Sequence, residues 1–204
     1  LSLAALAPGV PSLQGKTLFH GTYGKAFDEF KGRGGTTWLS EAADHAAEYA
    51  RGGRRSLRGV KPGARIHPVK ADVTNPLDIT DIELGGNATL ADIAKKTGVS
   101  EDDLAARIRK YAEQDPNFQN DLKAGLIPSK TGIGFAGPIK GVGPGWSETM
   151  QWFRWFDHKP VTMALRDLGF DGVQAVEHYG KERKAAMTLG VFDSPKIKSI
   201  WDVQ

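Results

Sequence analysis

The order of apolar segments limits what this chain can fold into. "KTLFHGT", "GGTTWLSE" and "ARIHPVKADV" each read as a strand, and one helix, "SEAADHAAEYAR", separates the second from the third. Alanines fill that helix, Ser40 or Asp44 is placed to cap it, and "RGG" stops it. "TNPLDIT" follows as an extended exit held by Pro76, and then the pattern changes. "TLADIAKKTGVSEDDLAARIRKYAEQ" gives two helices around a turn, with Ser100 as N-cap and Asp103 three positions on. The glycine-rich "GIGFAGPIKGVGPGW" reads as a loop, and "SETMQWFRWFD" as a short aromatic helix. "KPVTMALRDLGFDGVQAVE" is a helix, a glycine exit and a strand; "AAMTLGVFDSPKIKSIW" is a strand, a proline turn and an edge segment. Strand–strand–helix–strand, a helical insertion, then helix–strand–strand lacks the βαβ rhythm of a doubly wound fold. It predicts an α+β fold with a mixed or antiparallel sheet.

Composition sets the remaining bounds. At 204 residues and 40% hydrophobic, the chain can bury one real core and carry an insertion. Residues 1–16 read as a linker or N-terminal docking segment cut from a longer polypeptide. Residues 17–204 read as one domain, with its insertion at about 85–160. The chain has no cysteine, so disulfides and thiolate metal sites are excluded. His45, His67, His158 and His178 show no metal-ligand spacing, and no metal is expected. No apolar run approaches the roughly 18 residues of a membrane span.

The net charge is +3, and it is unevenly spread. Arg51, Arg54, Arg55, Arg58, Lys61, Arg65 and Lys70 fall in residues 51–70 with no acid among them. Such a block suits an anionic partner, and equally a solvated loop. The two helices around "TGVSEDD" have helix-turn-helix spacing. The second opens on Glu101, Asp102 and Asp103, the wrong sign for a helix that meets phosphates, so a plain helical hairpin is the better reading.

Three residues converge if the strands share a sheet. His20 ends the first strand, Trp38 ends the second, and Tyr49 sits eleven residues later on the helix. If the second strand runs straight into that helix, the indole and the phenol form a slot for a flat ring. Stacking adds about 0.5–1.5 kcal/mol per aromatic pair beyond area burial.

At this point the chain resembles a family. "FHGT", "TTWLSEAADHAAEYA", "PVKADVTNPLDIT", "LGFDGV" and "LGVFDSPKIKSI" occur in the order expected of ADP-ribosyltransferases of the diphtheria-toxin and PARP type, in the bacterial and phage toxin-like branch. The resemblance covers residues 17–80 and 161–200 and leaves 85–160 uncovered. It implies a split mixed or antiparallel sheet and NAD as co-substrate. His20 then donates a hydrogen bond to a ribose hydroxyl. Gly21 presents its backbone to the nicotinamide carboxamide, where a Cβ would crowd the ring, and Thr22 adds a hydroxyl. Trp38 replaces the family's usual tyrosine, Tyr49 is the second stacking ring, and Ala46 is the small residue that lets nicotinamide lie close. The implied reaction releases nicotinamide from the ribose and passes ADP-ribose to an acceptor, with orientation supplying much of the catalysis.

The sequence departs from the family at the acid. The expected glutamate falls on Thr188, which can hydrogen-bond but cannot act as a base. Three readings stay open: a substitute from the 177–184 loop, Glu177 or Glu182; catalysis without an acid; or binding without turnover. That loop also carries His178, Tyr179, Lys181 and Arg183, which with Arg51, Arg54, Arg55 and Arg58 form the expected acceptor surface for RNA, DNA or a protein. The resemblance thus implies a mono-ADP-ribosyltransferase toxin or effector domain, secreted to act in a target-cell cytoplasm, or cytoplasmic, with a cognate immunity protein as a further partner. The rival readings are a non-catalytic nucleic-acid-binding domain and a NAD glycohydrolase on the same site.

Overall fold

A computed structural model describes residues 12–22, 30, 35–51, 63–82, 87–116, 127–129, 132–136, 150–151 and 155–200. The chain divides into two compact units, Leu1–Leu84 with Asp171–Gln204, and Gly85–Phe170.

The first unit is built on a seven-stranded sheet. Its strands are β1 (Leu18–Thr22), β2 (Thr37–Ser40), β3 (Arg65–Ala71), β4 (Pro76–Asp78), β9 (Gly172–Tyr179), β10 (Lys184–Val191) and β11 (Ile197–Ser199), in the order β11-β3-β1-β2-β10-β9-β4. Every pairing is antiparallel except β4 with β9. The α+β expectation with a mixed, mostly antiparallel sheet therefore holds. Leu18, Leu39, Val69, Met187, Leu189 and Val191 share one face by register and form its buried core. Helix α1 (Ala43–Ala50) covers the other face, with His45, Ala46 and Ala50 buried. Neither expected residue caps it: Ala42 is the N-cap without a side-chain bond, and the Ser40 hydroxyl accepts from the Ala42 amide one step earlier.

One seam in the sheet is short. β1 pairs with β3 at five positions and β2 with β10 at four, but β1 and β2 meet only at Phe19 and Ser40. Continuing that register would set Gly21 opposite Trp38; the strands diverge there instead, and the gap is where the site forms.

In the second unit, α2 (Leu90–Thr97) and α3 (Glu101–Ala112) are the two expected helices. A capping box of Thr89 and Asp92 starts α2, and Gly98, in the left-handed region at φ +77°, ends it. Ser100 caps α3 as expected, its hydroxyl accepting from the Asp103 amide. α4 (Lys159–Asp167) packs on α3 and is tied to it by Tyr111, whose hydroxyl donates to Asp167, so this unit runs ten residues past the expected boundary near 160. Two local expectations fail. Part of the glycine-rich run is a strand, β7 (Gly132–Ala136), paired with β6 (Ile127–Ser129). The aromatic segment is not one helix: β8 (Met150–Gln151) pairs with β5 (Asn87–Ala88), and Trp155 buries its ring while its indole N–H donates to the Ala88 carbonyl. Alternating small and apolar residues allow either structure, and backbone pairing decided it. Among the described residues no helix is long and apolar enough to cross a membrane.

Candidate active site

Where β1 and β2 part, a cavity of about 170 Å³ opens within the first unit. Its lining includes His20 and Gly21 from β1, Trp38 and Ser40 from β2, His45, Ala46 and Tyr49 from α1, Glu177 from β9 and Thr188 from β10. A cavity of about 150 Å³ is enough for one six-membered ring, so this one fits a single flat heteroaromatic with a small substituent.

His20 bridges the gap. Its Nδ1–H donates to the Trp38 carbonyl at 2.8 Å, and a carbonyl can only accept, so Nδ1 carries the proton. Burial pushes the imidazole below its ordinary pKa; the Trp38 bond opposes this and nearby His67 adds to it. His20 is thus neutral near pH 7, and its Nε2 is an acceptor. In this tautomer His20 offers a ligand an acceptor, where the expectation was a donor to a ribose hydroxyl.

Gly21 is required for a different reason than expected. A Cβ there would lie 1.9 Å from the Ala46 carbonyl oxygen and 3.0 Å from the Ala50 amide nitrogen. The bare glycine lets α1 cross β1 at backbone contact; crowding of a bound ring is secondary. Trp38 has its own glycine. Gly190 lies opposite it across the β2–β10 ladder, and a Cβ on Gly190 would come within 3.0 Å of the indole.

Glu177 is the acid that reaches the cavity. It stands inside β9, not in a loop as expected, because β9 and β10 stay paired out to Tyr179 and Lys184. Its side chain is 16% exposed. Tyr49 donates its hydroxyl to Glu177 Oε2 at 2.6 Å, and His45 Nε2 lies 3.5 Å from the same oxygen. His45 is 2% exposed, stacks on Tyr179 at 4.7 Å between ring centroids, and holds Ser40 Oγ 3.0 Å from its Nδ1. Because Ser40 Oγ already accepts from Ala42, its own proton can go to Nδ1 of a neutral His45, leaving Nε2–H toward the carboxylate. Sequence reasoning missed His45 and Ser40. The one available signal was helical spacing, which puts His45 and Tyr49 on one face, four residues apart.

Other expected residues lie elsewhere. Thr22 turns away, 2.9 Å from His67 Nε2. Glu182 sits on the turn between β9 and β10, its side chain 80% exposed and 3.8 Å from Lys184, and it does not line the cavity. Lys181 and Arg183 occupy the same exposed turn, Arg183 at φ +52°. His178 alternates to the opposite face of β9 from Glu177. Tyr179 is buried as a prop for α1, donating to Asp44 at 2.8 Å; that bond holds the Asp44 carboxyl below its usual range and the phenol above its own. Arg51 is exposed at the end of α1, while Arg54, Arg55 and Arg58 fall outside the described residues. Thr188 is buried on the cavity floor, its hydroxyl 3.5 Å from the Ala175 carbonyl. Among the described residues no group of three His, Asp or Glu gathers as a metal site would need.

No family model matches this chain, and no curated protein or solved structure matches it.

Proposed function

We propose that the first unit is a mono-ADP-ribosyltransferase domain that takes NAD as donor and a macromolecule as acceptor. One observation carries the reading. His20, Gly21, Trp38, Ala46 and Tyr49, singled out from the sequence as a nicotinamide and ribose site, line one ring-sized cavity with a carboxylate in its wall. NAD supplies the ADP-ribose and leaves nicotinamide behind. The protein's part is to grip and orient: Trp38 and Tyr49 flank the ring, the Gly21 backbone faces its amide, and neutral His20 accepts from the ribose. The exposed Arg51 and the Lys181–Arg183 turn are the described part of the acceptor surface. Secretion, action in a target cell and a neutralising partner belong to the same proposal. The nucleic-acid-binding rival draws no support from α3, whose acids Glu101 and Asp102 are exposed at its first turn.

Calorimetry with NAD and incubation with labelled NAD and a cell lysate test the proposal. Wild-type protein should bind NAD and label a lysate component, and loss of the label to nuclease or to protease identifies the acceptor class. Trp38→Ala should weaken NAD binding at least ~30-fold, the loss of one stacked face and its buried area, with circular dichroism unchanged. Nicotinamide release without any acceptor would make it a glycohydrolase. Absence of NAD binding to the wild type at millimolar concentration would sink the reading.

A further inference from the structure

The family position for the acid holds Thr188, yet the cavity has a carboxylate, and its surroundings are built to aim it. We infer that Glu177 supplies the carboxylate that Thr188 lacks, and that His45, oriented by Ser40, positions it. This rests on the ADP-ribosyl reading.

Register gives the reach. Thr188 pairs with Ala175, and Glu177 is two residues further along β9 on the same face. Both side chains line the same cavity. The carboxylate therefore enters the space beside Thr188 from the neighbouring strand. Tyr49 donates its hydroxyl to Oε2, and His45 Nε2 lies 3.5 Å from the same oxygen. Among the described residues no donor reaches Oε1, so that oxygen is available to the acceptor. Ser40 Oγ holds His45 Nδ1 at 3.0 Å, and the Tyr179 ring stacks on the imidazole; with the Ser40 proton given to Nδ1, Nε2–H is the one left for the carboxylate. Tyr49 consequently has two duties: its ring flanks nicotinamide and its hydroxyl tethers the acid. The 3.5 Å separation of His45 from Oε2 is the length expected before substrate closes the site.

The step balances without a further reactant. The bond between ribose C1′ and the nicotinamide nitrogen breaks, and its electron pair leaves on nicotinamide. A bond from the acceptor O–H or N–H group to C1′ forms, and the acceptor's proton passes to Glu177 Oε1, then to solvent.

The experiment measures NAD affinity by calorimetry, and kcat and KM for NAD by nicotinamide release, on wild type, Glu177→Gln, His45→Ala, His45→Gln and Tyr49→Phe. Glu177→Gln should lower kcat at least ~100-fold, the usual scale for a lost acid–base group, with KM for NAD within about threefold. His45→Ala should lower kcat about 10–100-fold, the scale of a misplaced reacting group. His45→Gln keeps an N–H donor and should recover most of that loss, which a merely structural role would not produce. Should the His45 variants misfold, Tyr49→Phe keeps the ring and removes the second donor, and it should lower kcat severalfold at unchanged KM. Glu177→Gln turning over at wild-type speed while the wild type binds NAD overturns this inference and leaves the ADP-ribosyl reading standing. Failure of the wild type to bind NAD removes both.

Discussion

The two ends of β9 each present a carboxylate, and they are treated in opposite ways. Asp171, just before the strand, is held at both oxygens. It accepts from the Thr74 amide at 2.9 Å and hydroxyl at 3.1 Å, from the Asn75 amide at 2.9 Å and from the Lys196 ammonium at 2.8 Å. It thereby ties the start of β9 to the segment between β3 and β4 and to the end of the short helical turn that leads into β11. Glu177, near the far end, lines the cavity; one of its oxygens accepts from Tyr49 and lies 3.5 Å from His45 Nε2. A carboxylate held at both oxygens by four donors ties the chain together; one held at a single oxygen is aimed and still has capacity to act. At the site end α1 crosses β1 at backbone contact over Gly21, and Tyr179 ties the same helix through Asp44.

The largest effect should come from breaking that backbone contact. Gly21→Ala drives a methyl into the Ala46 carbonyl and the start of the next helical turn, neither of which is the end of a flexible side chain. It should cost about 3 kcal/mol or more, read as a lowered urea midpoint, and NAD binding should fail with it. A variant that stays stable and loses only NAD binding would restore the expected reason for the glycine, room for the ring.

Asp171→Asn should cost less, about 2 kcal/mol, since hydrogen bonds to a charged group are worth about 1.5–3 kcal/mol each and the amide keeps some of them. Nicotinamide release per folded molecule should not change. Set beside Glu177→Gln, this is a crossover: one substitution lowers stability and spares turnover, the other does the reverse. If both lowered the urea midpoint equally, the division of labour along β9 would be wrong.

That division explains what the sequence could and could not disclose. His20, Gly21, Trp38 and Tyr49 were readable because each sits at the end of a patterned segment and the eleven residues from Trp38 to Tyr49 fix their relation once strand runs into helix. The strands on either side of the insertion were readable from alternating apolar residues, but their order in the sheet was not. The acid was readable only to a choice of two. "VEHYGKERK" has the charge of a loop, and only the ladder to β10 reveals that Glu177 is in a strand while Glu182 is on the turn. The His45 contact was hidden for a related reason. Tyr49 and Glu177 are 128 positions apart, and no local spacing encodes a pairing that the sheet creates. The reason for Gly21 was missed because the obstacle is the backbone of α1, and no side chain advertises it.

The smallest expected effect is a pH dependence that separates the two ends once more. His20 and His67 both lie below the ordinary histidine pKa, each chiefly through burial, with His67 pressing on His20 and Arg65 on His67. Asp171 lies below the ordinary carboxylate value: burial works to raise it, but the Lys196 ammonium and the Thr74 and Asn75 amides outweigh burial. In every case the folded protein binds the proton less readily than the unfolded chain. For the histidines, the stabilisation is fully present above about pH 6.5 and is lost as pH falls from there through the folded pKa; for Asp171 the same loss begins only below about pH 4. The urea midpoint should therefore decline in two stages on acidification. His20→Gln with His67→Gln should flatten the first stage and leave the second, and Asp171→Asn should do the opposite. A decline near pH 6 that persists in the double histidine variant would mean that β1 and β3 do not bury His20 and His67 in neutral form, and the acceptor role given to His20 Nε2 would fall with it.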